Sequence, residues 1–179
     1  SVGPKGELEL YHGALRGIDA TGKTVFDQVP YTKYLDEIGE AVEDWSYMKF
    51  PFFKKLGYPA GCYRVGPLAR FNVADKMTTP MAQRHFELFK KLGGGKPIGG
   101  SLFYHFARLV EMLHAVEMIK TLLNDDDIQS DNLVNRGTQQ SEGVGIIEAP
   151  RGTLIHHYQI DKDGLLTKVN LIVATTQNN

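Results

Sequence analysis

Val144-Gly145-Ile146-Ile147-Glu148-Ala149-Pro150-Arg151-Gly152-Thr153-Leu154-Ile155-His156-His157-Tyr158-Gln159-Ile160 holds two strand-like runs separated by a short break. Val144 to Ile147 is rich in β-branched residues, and so is Thr153 to Ile160. A third run, Leu165 to Ala174, follows Asp161-Lys162-Asp163-Gly164, a strong hairpin turn signal. The break between the first two runs, Glu148 to Gly152, pairs a proline that fixes φ with a glycine that frees it. Arg151 is therefore presented on a defined bend. Such an arginine is suited to an anion or ligand, because its guanidinium is planar, permanently charged and rich in donors. A plain turn with an exposed arginine is the other reading, and local sequence does not separate the two.

Upstream of these strands the pattern becomes helical. Ser101 is placed to cap a long helix with Leu102, Phe106, Leu109, Leu113 and Val116 on one face and Phe103, Ala107 and Val110 on a second row. An apolar face that broad predicts a helix buried in a bundle. Asn124-Asp125-Asp126-Asp127 ends it. Before it, Thr79 caps a helix with Pro80 at its first position, running to Leu92, with Gly93 ending it in the left-handed conformation. Further upstream, Thr32 is placed to cap a helix with Leu35, Ile38, Val42 and Trp45 at helical spacing and an acidic, solvated outer face. Tyr47 to Tyr58 is aromatic and broken by Pro51 and Gly57-Tyr58-Pro59, and Tyr63-Arg64-Val65 reads as a short strand. Glu7 to Tyr11 alternates polar and apolar residues as a half-buried strand does, and Asp19 to Lys23 is a turn leading into Val25 and Phe26. Strands, then helices, then strands predict an α+β chain: a buried portion of a helix bundle with small antiparallel β elements at both ends. The expected division of this single unit, residues 1–179, is a β element over 1–30, a mainly helical region over 31–142 and a β-rich segment over 143–179.

Composition narrows the function classes. The chain has 179 residues, 42% hydrophobic and 23% charged, with a formal net charge of -1. Nucleic acid and anionic membranes call for a basic surface, which this balance does not supply. No apolar run reaches the roughly 20 residues that span a bilayer. The start, Ser1-Val2-Gly3-Pro4, lacks the pattern of a signal peptide. The single cysteine, Cys62, excludes an internal disulfide and any multi-cysteine metal site, and points to a cytosolic environment. Without an initiating Met, and with Gln177-Asn178-Asn179 directly after a strand-like run, both ends read as cut, so the chain is expected to be an internal fragment.

Several apparent motifs fail on inspection. Gly93-Gly94-Gly95-Lys96 is followed by Pro97, where a phosphate loop needs Ser or Thr. Asp125 to Asp131 lacks the glycine and glutamate of a calcium loop. His156 and His157 point to opposite faces of a strand and are not placed to share an ion. Cys62 with His105 or His114 as base could make a nucleophile, but nothing nearby argues for a reactive thiol. Arg108 and Glu111, three apart on the long helix, are placed to pair, either structurally or to orient something nearby.

Gly143 to Tyr158 resembles the Pro-Arg-Gly motif of nickel–iron hydrogenase large subunits. Tyr63 to Arg70, Phe103 to Glu111 and Lys168 to Thr175 resemble further stretches of the same family, in the same order. Trp45 to Pro51 and His156-His157-Tyr158 favour the bidirectional, NAD-linked cytoplasmic type. The resemblance implies a fragment of the large-subunit fold and a part in the reversible oxidation of H2 to protons and electrons. It implies a centre of nickel bridged to an iron that carries cyanide and carbon monoxide, held by two cysteine pairs that this sequence does not contain. The chain alone is therefore expected to bind no metal and to be inactive. It implies Arg151 and Pro150 as the catalytic residues, with Arg151 projecting over the nickel. Ala174 and Thr175, or Thr176 one residue on, match the position that hydrogen-bonds a cyanide. Arg70, Arg108 and Glu111 are implied as supporting or proton-path residues. The implied partners are diaphorase subunits carrying flavin and NAD, together with an iron–sulfur small subunit. The alternatives are a non-catalytic scaffold or assembly protein, or a respiratory-complex subunit of shared ancestry.

Overall fold

The computed structural model describes residues 1–178; Asn179 lies outside the described residues. In chain order, β1 (Leu15–Ile18) and β2 (Thr24–Val29) form an antiparallel hairpin across the Asp19 turn. Asp19 carries that turn by accepting from the backbone N–H groups of Thr21 and Lys23 at 2.8 and 3.0 Å. Next come a single turn α1 (Tyr34–Glu37) and two antiparallel strands, β3 (Ile38–Ala41) and β4 (Phe50–Phe53). Three helices follow: α2 (Pro67–Val73), α3 (Pro80–Gly93) and α4 (Phe103–Leu122). The chain returns to strands in β5 (Glu142–Ala149), β6 (Gly152–Ile160) and β7 (Leu166–Ile172), an antiparallel sheet in sequence order, and closes with α5 (Ala174–Gln177). This is the expected α+β arrangement, with part of a helix bundle between small antiparallel sheets.

Two apolar clusters hold these elements. One packs Leu68 and Phe71 of α2 against Ala82, Phe86 and Phe89 of α3 and Ala107 and Val110 of α4. Phe71 meets Phe86 and Phe89 edge-on, with ring centroids 5.2 and 5.3 Å apart. The other joins all three sheets through Leu15, Phe26, Tyr34, Phe53, Ile155 and Ile172. Tyr34, fully buried, shares its hydroxyl with His157 Nδ1 at 3.0 Å and Asn170 Nδ2 at 3.1 Å, which ties α1 to β6 and β7.

The structure corrects several local expectations. The helix expected from Thr32 to Trp45 stops after Glu37. Ile38 onward pairs with the apolar strand Phe50–Phe53, and Val42 and Trp45 stay exposed. Gly39 weakens the helix at its middle, while Ile38 opposite Phe53 gains a buried cross-strand contact. Between residues 38 and 66 region 31–142 holds two strands and one 3-10 turn, Lys54–Leu56, and no α-helix. Glu7 to Tyr11 is not a strand: only Glu7 and Leu8 make isolated bridges, and Tyr11 is exposed. Tyr63-Arg64-Val65 is irregular extended chain, with Tyr63 stacked on Phe53 at 4.3 Å. Ser101 lies in a turn before α4 and does not cap it. Only one face of α4 is buried, by Ala107, Val110 and His114, while Leu102, Leu109 and Val116 are exposed. The helix at Thr79 and Pro80 forms as expected, with Gly94 rather than Gly93 in the left-handed conformation. Its cap is not the Thr79 hydroxyl, which is bonded to His114 Nδ1 at 2.8 Å. The carboxylate of Glu117 on α4 instead accepts from the N–H groups of Met81 and Ala82, each at 3.0 Å.

Candidate functional site

The turn joining β5 to β6 contains only Pro150 and Arg151, because Ala149 already pairs with Gly152. Gly152 has φ +139°, a backbone region that suits glycine. It also has no room for a side chain: a Cβ would stand 2.2 Å from Val65 Cγ2 and 2.9 Å from the Gly66 nitrogen. Gly66, at φ +112°, approaches from the opposite side, where a Cβ would stand 2.9 Å from the Arg151 carbonyl oxygen. These two glycines let the turn lie directly against the segment that leads into α2.

Side chains from three other places hold the turn. Arg70 on α2, 4% exposed, donates from Nη1 to the Ala149 carbonyl at 3.0 Å and to Glu148 Oε2 at 3.2 Å. Its Nε and Nη2 donate to the two oxygens of Glu111 on α4, at 2.6 and 2.9 Å. This two-pronged geometry gives charge-assisted bonds their strength and direction. Arg108, one helical turn from Glu111, donates from Nη2 to the Pro150 carbonyl at 2.5 Å, and its Nη1 lies 3.6 Å from Glu111 Oε2. Asn178 accepts from the Val65 N–H at 2.8 Å and makes a longer contact, 3.4 Å, to the Arg151 carbonyl. The Arg151 side chain has no hydrogen bond or ion pair among the described residues, and Arg151 and Pro150 are both exposed.

The charges in this cluster are matched. Burial would push the Glu148 carboxyl up, and Arg70 at 3.2 Å pairs with it against that cost. Burial would likewise lower Arg70, and Glu111 followed by Glu148 keeps it raised. Arg70 therefore stays charged near neutral pH and is not poised to exchange protons there. Arg70 and Glu148 also line a cavity of about 620 Å3, whose apolar wall includes Phe26 and Phe53.

The structure thus brings together Arg70, Arg108, Glu111, Pro150 and Arg151, including the Arg108–Glu111 pair that the helical spacing allowed. Ala174 is buried and Thr175 exposed in α5, and neither bonds to the turn. The contacts from that end come from Gln177 and Asn178, which the sequence reading missed. Gln177, 4% exposed, accepts from the Tyr63 hydroxyl at 2.9 Å and donates to the Thr153 carbonyl at 2.6 Å. Two amides after an apolar strand were the only local signal. His157 is buried between Tyr34 and Glu142, while His156 bonds Tyr158 on the other face, so the two do not converge. Cys62 is exposed, and His114, one of its candidate bases, is held by Thr79. Among the described residues no group of three or more His, Cys, Asp or Glu is placed to hold a metal ion. One thiol is not the soft donor set that a nickel–iron centre requires, so no step through such a centre is built from these residues.

Comparison with known proteins places this geometry in context. A family model described as nickel-dependent hydrogenase matches residues 10–179. The beta subunit of the NAD-reducing hydrogenase HoxS of Cupriavidus necator is 48% identical over 181 residues, which is 99% of this chain and 37% of that protein. The vhu F420-non-reducing hydrogenase of Methanocaldococcus jannaschii contains a chain that is 44% identical over 97% of this one and 41% of its own length. A crystal structure of an NAD+-reducing [NiFe]-hydrogenase in the H2-reduced state superposes with a TM-score of 0.91 at 47% identity, covering 99% of this chain and 40% of that one. The chain therefore spans about two fifths of the length of the relatives it matches.

Proposed function

The chain belongs to the nickel-dependent hydrogenase family, and we propose that it is the part of a hydrogenase large subunit that presents Arg151 to the site of hydrogen oxidation. One observation carries this reading: the turn backbone is held on several sides while, among the described residues, the Arg151 guanidinium has no partner. A cation presented from an anchored backbone is useful where charge develops during H2 cleavage, since its point of attachment need not reorganise as the reaction proceeds. Arginine resists deprotonation, so electrostatic stabilisation is its natural role, with Pro150 stiffening the turn beside it. A nickel–iron centre with cyanide and carbon monoxide ligands, held by thiolates outside this sequence, would supply the redox chemistry.

Ala174 and Thr175, or Thr176, are proposed as the position that would hydrogen-bond a cyanide, with Arg70, Arg108 and Glu111 supporting Arg151. We assign residues 1–30, 31–142 and 143–179 as the regions of one unit. The 48% identity to an NAD-reducing hydrogenase subunit favours coupling to NAD through partners. Those partners would be flavin-bearing diaphorase subunits and an iron–sulfur small subunit, working in the cytoplasm. Among the described residues no helix is long and apolar enough to cross a membrane.

The test is Arg151→Lys in the complete, metal-loaded subunit. Hydrogen oxidation should fall about 100-fold, the scale for losing one fixed electrostatic donor, with nickel content retained. Wild-type turnover in that variant would overturn the assignment.

A further inference from the structure

We infer that Glu111 is a positioning residue, which fixes the direction of Arg151 by holding the two arginines that grip the turn. The inference rests on the role proposed for Arg151. Each peptide unit is planar, so fixing a carbonyl oxygen orients the whole unit. The units on either side of Pro150 carry the Ala149 and Pro150 carbonyls, bonded to Arg70 at 3.0 Å and Arg108 at 2.5 Å. The unit after Arg151 is confined by Asn178 and by the close approach of Gly66. Pro150 has a fixed φ of its own. With the units before and after Arg151 both set, its Cα–Cβ bond has one direction.

Glu111 is common to both grips. Its oxygens accept from Arg70 at 2.6 and 2.9 Å, and Arg108 lies at 3.6 Å. Arg108 is 38% exposed at its side chain and contributes a long, flexible stem. Without a carboxylate beside it, its guanidinium would be drawn to water. Both Glu111 oxygens are occupied by a permanent cation, which suits a fixed anchor. A proton carrier needs an oxygen that can take up a proton and release it.

The experiment uses the complete, metal-loaded protein with Glu111→Gln and Arg108→Met, and Arg108→Lys as the conservative variant. Arg108 is partly exposed, so its variants test the idea even where Glu111→Gln folds poorly. Three quantities are read: amide hydrogen exchange of peptides containing Arg151 and Gly152, kcat and KM for hydrogen, and nickel content. Glu111→Gln and Arg108→Met should each speed exchange at the turn about tenfold, the scale of one charge-assisted hydrogen bond. They should lower kcat about tenfold with KM and nickel unchanged, and Arg108→Lys should recover part of both. Wild-type exchange and kcat in these variants overturn the inference. A fall in kcat with unchanged exchange, restored by added formate, also overturns it and makes Glu111 a proton carrier. If Arg151→Lys is fully active while Glu111→Gln loosens the turn, the role of Arg151 falls and the grip on the turn stands.

Discussion

Gly152 is the residue whose replacement should do the most damage for its size. Its φ of +139° is strained for any other residue, and a Cβ would collide with Val65 at 2.2 Å. Gly152→Ala should cost about 2–4 kcal/mol, combining backbone strain with overpacking. Gly145, on the preceding strand, has nothing within 4 Å of a built Cβ and no positive φ. Gly145→Ala should change stability by less than about 0.5 kcal/mol. Urea midpoints of the two variants check this directly, and equal midpoints would refute the close-approach argument. The sequence marked Pro150-Arg151-Gly152 as a bend because proline and glycine act locally. It gave no hint that Gly152 meets Val65 and Gly66, since those residues lie far away along the chain.

At the scale of elements, α3 depends on a neighbour for its start. Thr79 looked like its cap and Pro80 its first residue, yet the first-turn N–H groups of Met81 and Ala82 are satisfied by Glu117 on α4. Desolvation works to raise the Glu117 carboxyl, but those N–H groups hold it below its ordinary value of 4.5. The sign follows from this. A carboxyl lowered in the folded state contributes stability that is complete above 4.5 and is lost as pH falls through the lower folded value. Glu117→Ala should therefore lower the urea midpoint at pH 7, and the gap between variant and wild type should narrow as the solution is acidified through that range. A gap that is constant with pH would show that Glu117 does not act through its charge. The helix expected at Thr32 to Trp45 shows the opposite limit of local reading. The spacing of Leu35, Ile38, Val42 and Trp45 is helical, but the partner strand Phe50–Phe53 offers Ile38 a buried place and wins. The Asp161 to Gly164 turn was legible because its signal is local: Asp161 Oδ1 accepts from the Asp163 and Leu165 N–H groups at 2.9 and 3.0 Å.

Across the whole molecule, Arg70 links the helical core to the sheets. It joins α2, α4 and the end of β5 through Glu111, Glu148 and the Ala149 carbonyl, all of it buried or nearly so. Removing a buried cation strands its carboxylates, at a cost of about 3–5 kcal/mol. Arg70→Met should therefore destabilise the chain by that amount. Arg70→Met combined with Glu111→Leu should cost clearly less than the sum of the two single changes, because the pair is coupled. A double-mutant cycle by urea unfolding measures this, and additive costs would show that the pair contributes little.

The sequence by itself determined helices α3 and α4, the three C-terminal strands, the hairpin turn after Ile160 and the presentation of Arg151 on a bend. Each of these follows from signals that act within a few residues: proline and glycine dihedrals, turn chemistry and apolar periodicity. Its resemblance to hydrogenase large subunits also drew attention to Arg70, Arg108 and Glu111. Only the tertiary structure decided that those three residues converge on the Ala149 and Pro150 carbonyls, that Gly66 and Gly152 touch, that Asn178 reaches the turn, and that residues 38–41 are a strand. The partners in these contacts are held together by burial and charge pairing across the chain, such as Arg70 with Ala149, 79 residues apart. Such pairings have no local signature, so the bend was visible in the sequence and the hold upon it was not.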